Sequence, residues 1–70
     1  MVKTLVILIL LFNGTLVKNR LDFNPPIDVM DCLALGDAYR EVMSTYQGPG
    51  KEQGWYLDDG QGTIQGYYCE

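Results

Sequence analysis

The most constraining feature of the chain is an uninterrupted apolar segment that runs directly into an Asn-Gly pair. The segment spans Leu5 to Phe12, and the pair is Asn13-Gly14. Both positions of a two-residue hairpin turn need positive φ, which Asn and Gly tolerate better than other residues. We therefore predict an antiparallel hairpin in which Phe12 lies opposite Thr15.

This register predicts which residues share each face of the hairpin. Leu5, Ile7, Ile9 and Leu11 fall on one face with Leu16, Lys18, Arg20 and Asp22. Charge at every second residue of the second strand is typical of a solvated edge strand. The first strand is apolar on both sides, as is usual for a strand at the centre of a sheet. We therefore expect one apolar side of the first strand to lie outside the core.

A secretion signal or a membrane span is the alternative interpretation of the N-terminus. Lys3 would be its basic region and Leu5 to Phe12 its apolar region. The apolar run is far shorter than the roughly 18 to 20 residues of a transmembrane helix, and no small-residue cleavage site follows it before the turn. The turn chemistry favours the strand, and we do not expect a membrane partner.

The turn-forming and helix-capping residues that follow the second strand predict one helix and a second hairpin. Asn24-Pro25-Pro26 ends the second strand, and Asp28 is a suitable helix N-cap. Apolar residues then repeat at spacings of three and four, so one face of the helix packs on the sheet. A Gly-rich loop at 47–54 ends the helix, and Asp59-Gly60 marks a turn. The predicted single domain has strands at about 2–12, 15–23, 54–58 and 63–69 and a helix at about 28–46.

This element order, ββαββ, resembles the β-grasp architecture of ubiquitin and of the immunoglobulin-binding domains of proteins G and L. The resemblance implies an α+β fold with a four-stranded mixed sheet of order 2-1-4-3 and the helix on one face. The chain ends in Tyr67-Tyr68-Cys69-Glu70 rather than in a diglycine tail, so conjugation is not implied. In size, acidity and turn composition the chain is also similar to short reading frames of tailed phages, which would imply a viral protein.

Charge and composition argue against several function classes. Nine acidic and five basic residues give a net charge of -4, and the cations do not cluster beyond Lys18 and Arg20. A nucleic-acid partner is therefore not expected. Without histidine the chain lacks the commonest general base and zinc ligand, and no CxxC motif exists. We predict no catalytic residue, metal site or cofactor, and we predict a cytoplasmic protein.

The two cysteines leave two alternatives open. Cys32 lies on the sheet-facing stripe of the predicted helix and Cys69 near the end of the last strand, so they could meet beneath the helix. A bridge would contribute about 4 kcal/mol on the chain-entropy model. In a reducing compartment free thiols are the rule, and we favour them. A Cys32–Cys69 disulfide belongs with the alternative of a secreted or membrane-associated protein.

Adjacent aromatic residues indicate a surface. Neighbours in a strand point to opposite faces, so if Trp55 and Cys69 face inward, Tyr56 and Tyr68 face outward with Ile64. An apolar surface of this kind is typical of protein interfaces. We predict a non-enzymatic module that binds a second copy of itself as a homodimer, or another protein such as a host protein. The predicted partner-binding residues are Leu5, Ile7, Ile9, Leu11, Tyr56 and Tyr68.

Overall fold

A computed structural model describes residues 1–48 and 53–70 of the chain. Its elements in chain order are β1 (Val2–Leu11), β2 (Leu16–Ile27), α1 (Val29–Met43), β3 (Ser44–Gln47), β4 (Gly54–Leu57) and β5 (Gly62–Cys69). The strands form one sheet of order β2-β1-β5-β4-β3, and every neighbouring pair is antiparallel. The predicted α+β class is confirmed. The predicted loop at 47–54 lies partly outside the described residues.

The predicted four-stranded sheet of order 2-1-4-3 is wrong. The helix ends at Met43, and residues predicted to complete it form the additional strand β3, which pairs with β4. The Ser44 hydroxyl donates to the Arg40 carbonyl at the helix end, and the Thr45-Tyr46 pair that follows favours a strand. The first and last strands are neighbours, as the β-grasp resemblance implies, but they are antiparallel rather than parallel.

The first hairpin turns through three residues, not two. Gly14 has φ +93°, and none of the described non-glycine residues has a positive φ, so Asn13 does not adopt the conformation that a type I′ turn requires. The Asn13 side chain instead accepts a hydrogen bond from the Thr15 N–H at 2.9 Å. The Leu11 N–H donates to the Thr15 carbonyl at 2.9 Å and closes the loop. Leu10 consequently lies opposite Leu16, one residue away from the predicted register.

The shift of one residue exchanges the two faces of β1 relative to β2, because side chains alternate along a strand. Lys18 and Arg20 do face away from the helix, as predicted, but they lie opposite Leu8 and Val6. The side of β1 that was predicted to be free therefore faces α1. Its residues Leu5, Ile7 and Ile9 lie opposite Leu21, Asn19 and Val17.

The core lies between α1 and this face of the sheet. Leu5, Ile7 and Ile9 are 0–8% exposed and pack with Cys32 and Ile64, while Leu11 and other half-buried residues surround them. The prediction that Leu5, Ile7, Ile9 and Leu11 form a free surface is therefore wrong. Ile64 also faces inward rather than outward, because an irregularity in the β1–β5 ladder between Leu8 and Ile9 changes the alternation of β5.

The helix approaches the sheet at two successive turns. Cys32 forms a disulfide with Cys69 across a Cα–Cα distance of 6.5 Å, so the prediction of free thiols is wrong and the bridged alternative holds. One turn later, buried Gly36 lies against the ring of Tyr67. Asp28 precedes the helix as predicted, although its side chain makes no capping hydrogen bond.

Strand β2 is longer than predicted. It continues through Asn24-Pro25-Pro26 to Ile27, opposite Val2. Proline lacks an N–H to donate to a ladder, but β2 is an edge strand and pairs only with β1, so proline is tolerated there.

Candidate functional site

The sheet face opposite α1, here called the open face, carries a group of apolar and aromatic side chains. Leu10 of β1 lies between Leu16 of β2 and Thr63 of β5. The ring of Phe12, beside the turn, lies 6.1 Å from the ring of Tyr56 on β4. Together these strands present a surface, here called the open-face patch, that consists of Leu8, Leu10, Phe12, Leu16, Tyr56 and Tyr68.

The patch is substantially accessible. Phe12 is 63% exposed, Leu16 55% and Leu10 38%, whereas a core position of the same strand, Ile7, is 2% exposed. Large apolar side chains that are exposed singly are common, but four adjoining strands contribute to this group. Contiguous exposed apolar groups of this kind are characteristic of interaction surfaces.

The patch contains only part of the predicted partner-binding set. Tyr56 and Tyr68 lie on the open face as predicted, since Tyr68 is opposite Val6 and Tyr56 opposite Thr63. The β1 and β2 members, Leu8, Leu10 and Leu16, were not predicted, and neither was Phe12. The apolar residues Val17, Leu21 and Phe23 of β2 share the core face, but they do not by themselves identify Leu8 and Leu10, because the β1 residues that lie opposite them depend on the length of the first loop.

The other end of the open face is polar. Thr4 donates its hydroxyl hydrogen to Asp22 at 2.8 Å, and the Arg20 guanidinium forms an ion pair with Glu70. Arg20 and Tyr68 flank Val6 in the ladder, and Val6 is fully buried although it lies on the open face. Long side chains thus cover β1 at this end, and the most exposed apolar side chains of the patch, Leu10, Phe12 and Leu16, lie at the end near the first turn.

A cluster on the helix side connects α1 to the sheet. The Arg40 guanidinium lies 4.5 Å from the ring centroid of Trp55 and 5.7 Å from that of Tyr67, and it pairs with Asp37 at 3.1 Å. The Tyr67 hydroxyl donates to the Asp37 carboxylate. This hydrogen bond, together with burial, raises the pKa of Tyr67, because both favour the neutral phenol. The cluster connects α1 to β4 and β5 and so stabilises the docking of the helix on the sheet.

A second apolar surface lies on the β2 side of the helix. A groove of about 280 Å³ runs between Leu21 of β2 and the helix residues Leu35, Tyr39 and Val42. Tyr39 closes one side, since its hydroxyl accepts a hydrogen bond from the Asn19 amide at 2.9 Å. Val42 is 73% exposed at its rim.

Residues 1–48 and 53–70 contain no group of three or more potential metal-ligating side chains. No helix in the same part of the chain has both the length and the apolar character needed to cross a bilayer. Comparison of the chain with protein-family models, with curated proteins and with solved structures finds no match.

Proposed function

We propose that this protein is a small, non-enzymatic protein-binding module that associates with a second copy of itself through the open-face patch. The observation that carries the proposal is the one-sided core. Because α1 covers only one face of the sheet, Leu10, Phe12 and Leu16 remain 38–63% exposed on the other. Burial stabilises apolar surface by about 25 cal/mol per Å², so covering these side chains favours association.

A homodimer is the simplest occupant, because a two-fold interface brings the same patch together on both partners. Sheets that pack face to face lie about 10 Å apart, which is a suitable distance for interdigitating leucine and aromatic side chains. The charged residues at the polar end, including Arg20 and Glu70, would then form a rim. A stable interface buries about 800 Å² on each partner, which is more than six side chains supply, so we expect reversible association.

Sedimentation of two matched lysine variants tests the proposal. Leu10→Lys places a charge in the patch, whereas Val42→Lys places the same charge at the helix groove. We expect Leu10→Lys to weaken self-association at least tenfold, with the free energy of unfolding changed by less than about 1 kcal/mol. Val42→Lys should leave association unchanged. Loss of association in Val42→Lys alone would assign the interface to the groove, and a wild-type protein that stays monomeric would contradict the dimer.

A partner protein is the alternative occupant of the same patch. The cations Lys18 and Arg20 border the patch on one side, and the net charge of -4 favours a partner with a basic surface elsewhere. If the wild type is monomeric but Leu10→Lys abolishes binding of an isolated partner, the patch serves that partner instead.

The disulfide is relevant to the cellular compartment in which the protein functions. Bridges persist in oxidising compartments and are rare in cytosolic proteins. The Cys32–Cys69 bond therefore favours the alternative of an exported, disulfide-stabilised domain over the cytoplasmic location predicted from the sequence. Alkylation of the protein in intact cells, followed by mass spectrometry, distinguishes the two. Two alkylated cysteines would support the cytoplasm, and a mass two hydrogens below the reduced chain, without alkylation, would support export.

A further inference from the structure

Strand β2 has an unpaired outer edge. It is the last strand of the sheet, and within residues 1–48 and 53–70 it pairs with β1 alone. Residues 49–52 connect Gly48 to Gln53 at the opposite edge of the sheet, beside β3 and β4. A connection of four residues reaches at most about 9 Å from its two ends. A strand added to β2 would lie four inter-strand spacings, about 19 Å, from β4, so this connection does not occupy that position.

The ladder between β1 and β2 determines which main-chain groups point to the outer edge. The Leu11 N–H donates to the Thr15 carbonyl, which makes these two residues a bonded pair. Bonded pairs recur at every second residue of an antiparallel ladder, and this ladder is regular on both sides of Asn19, so Asn19 also bonds to β1. Lys18 and Arg20, on either side of Asn19, therefore direct their N–H and C=O groups away from β1. No other described main-chain group hydrogen-bonds them.

The apolar groove between β2 and α1 lies directly beside this edge. The helix packs mainly over β1 and β5, so the helix-side face of β2 is only partly covered. Leu21 is consequently 48% exposed although it faces the helix, and Leu35 and Val42 form the other wall of the groove. A strand added to β2 would direct every second side chain to the helix side, beside Leu21. The groove is therefore placed to receive side chains from such a strand.

We propose that the outer edge of β2 binds an extended segment of another protein, with alternating acidic and apolar residues, by strand addition. Unpaired main-chain donors and acceptors provide the affinity in this mode of binding, and pockets for alternate side chains provide the specificity. Pro25 and Pro26 have no N–H, so they end the template on one side. The seven residues from Leu16 to Asp22 form a template about 23 Å long, which accommodates one short strand.

The cations of β2 specify the polar residues of the segment. Lys18 and Arg20 face away from the helix, and cross-strand neighbours share a face, so the segment residues opposite them lie on the same side of the sheet. Lys18 forms no ion pair with a described residue. Glu or Asp at these two positions of the segment would neutralise both cations, whereas the residues opposite Asn19 and Leu21 enter the groove and are apolar. A second copy fits less well, because its β2 carries the same two cations.

Amide hydrogen exchange measured by NMR tests the proposal. The probe is the peptide Val-Glu-Val-Glu-Val, acetylated and amidated at its ends, and the matched control is Val-Lys-Val-Lys-Val. In the free protein the amides of Lys18 and Arg20 should exchange at least tenfold faster than that of Asn19. A saturating concentration of the probe should slow Lys18 and Arg20 at least tenfold. The lysine peptide at the same concentration should have no effect, and neither should the probe N-methylated at alternate residues.

Matched charge variants test the assigned positions. Lys18→Glu should weaken probe binding at least threefold, whereas Lys3→Glu, the same change at an exposed cation of β1, should not. Leu10→Lys should bind the probe as the wild type does, because strand addition does not use the open-face patch.

Three results would overturn the proposal. The first is protection of the Lys18 and Arg20 amides in the free monomer that equals that of Asn19. The second is equal binding of the two peptides, or loss of probe binding in Leu10→Lys, which would place the probe on the open-face patch. The third is protection of Lys18 and Arg20 that increases with protein concentration when no probe is present, which would identify a second copy as the occupant.

Discussion

The contact between Gly36 and Tyr67 predicts that a single added methyl group destabilises the fold. A Cβ at position 36 would lie 2.6 Å from Cε2 and 3.0 Å from Cγ of the Tyr67 ring. Carbon atoms in contact prefer separations of about 3.5 to 4.0 Å, so the helix or the ring would have to move by about 1 Å. The disulfide at Cys32 restrains the helix one turn away, and the hydrogen bond to Asp37 restrains the ring.

Two opposing terms set the expected magnitude. Replacing glycine by alanine in a helix contributes about 1 kcal/mol of stability, whereas overpacking costs about 1 to 3 kcal/mol. Because both contacting groups are tethered, we expect an overpacking cost in the upper part of its range, about 2 to 3 kcal/mol, which leaves a net loss of about 1 to 2 kcal/mol. For a domain of this size that corresponds to a decrease in Tm of roughly 4 to 16 °C.

Thermal and urea unfolding of Gly36→Ala measure this loss directly. Ala38→Gly, at an exposed position of the same helix, is the matched control and should lose about 1 kcal/mol through helix propensity alone. Combining Gly36→Ala with Tyr67→Leu should recover part of the loss, since the ring that causes it is gone. A Gly36→Ala variant more stable than wild type by about 1 kcal/mol would refute the close approach of helix and sheet.

Three further predictions concern the core, the bridge and the helix-side cluster. Ile7 is 2% exposed, so Ile7→Lys should prevent folding, whereas Leu10→Lys should give a folded protein, as judged by circular dichroism. If both variants fold, the assignment of the β1 faces is contradicted. Replacing both Cys32 and Cys69 by Ser should lower the free energy of unfolding by about 4 kcal/mol, because the bridge spans a sequence separation of 37 residues, and unchanged urea midpoints would argue against the bond. The raised pKa of Tyr67 implies a stability contribution that is present below the ordinary tyrosine pKa of about 10 and is lost as the pH rises through the folded value. Tyr67→Phe should therefore reduce the decline of Tm with alkaline pH, and equal declines in both proteins would contradict the Asp37 hydrogen bond.

Sequence reasoning identified most of the secondary-structure elements but assigned the wrong face of β1 to the core. The Asn-Gly pair correctly located the first hairpin, and the Gly60 turn correctly located the second, in which the Leu57 carbonyl accepts from the Gly60 N–H at 3.0 Å. Loop length was not readable, because Asn13-Gly14 is compatible with both a two-residue turn and a three-residue loop. That difference of one residue placed Leu5, Ile7 and Ile9 on the wrong side of the sheet.

Strand β3 was not predicted because local propensity is weak at positions where tertiary pairing determines the secondary structure. Tyr46 continues the helical spacing of apolar residues. It nevertheless lies with Ser44 and Thr45 in β3, which pairs with Trp55, Tyr56 and Leu57 of β4. The ring of Tyr46 lies 5.4 Å from that of Trp55, a long-range contact that no local pattern contains.

The account depends most on which side of β1 is available to a partner, and the concentration dependence of backbone NMR signals tests this directly. We predict that raising the protein concentration shifts the amide signals of Leu8, Leu10 and Leu16 together with that of Tyr68. Signals from the helix groove around Val42 should stay in place. Shifts centred on Val42, or signals that remain unchanged over the whole range in which the protein is soluble, would contradict self-association through the open-face patch.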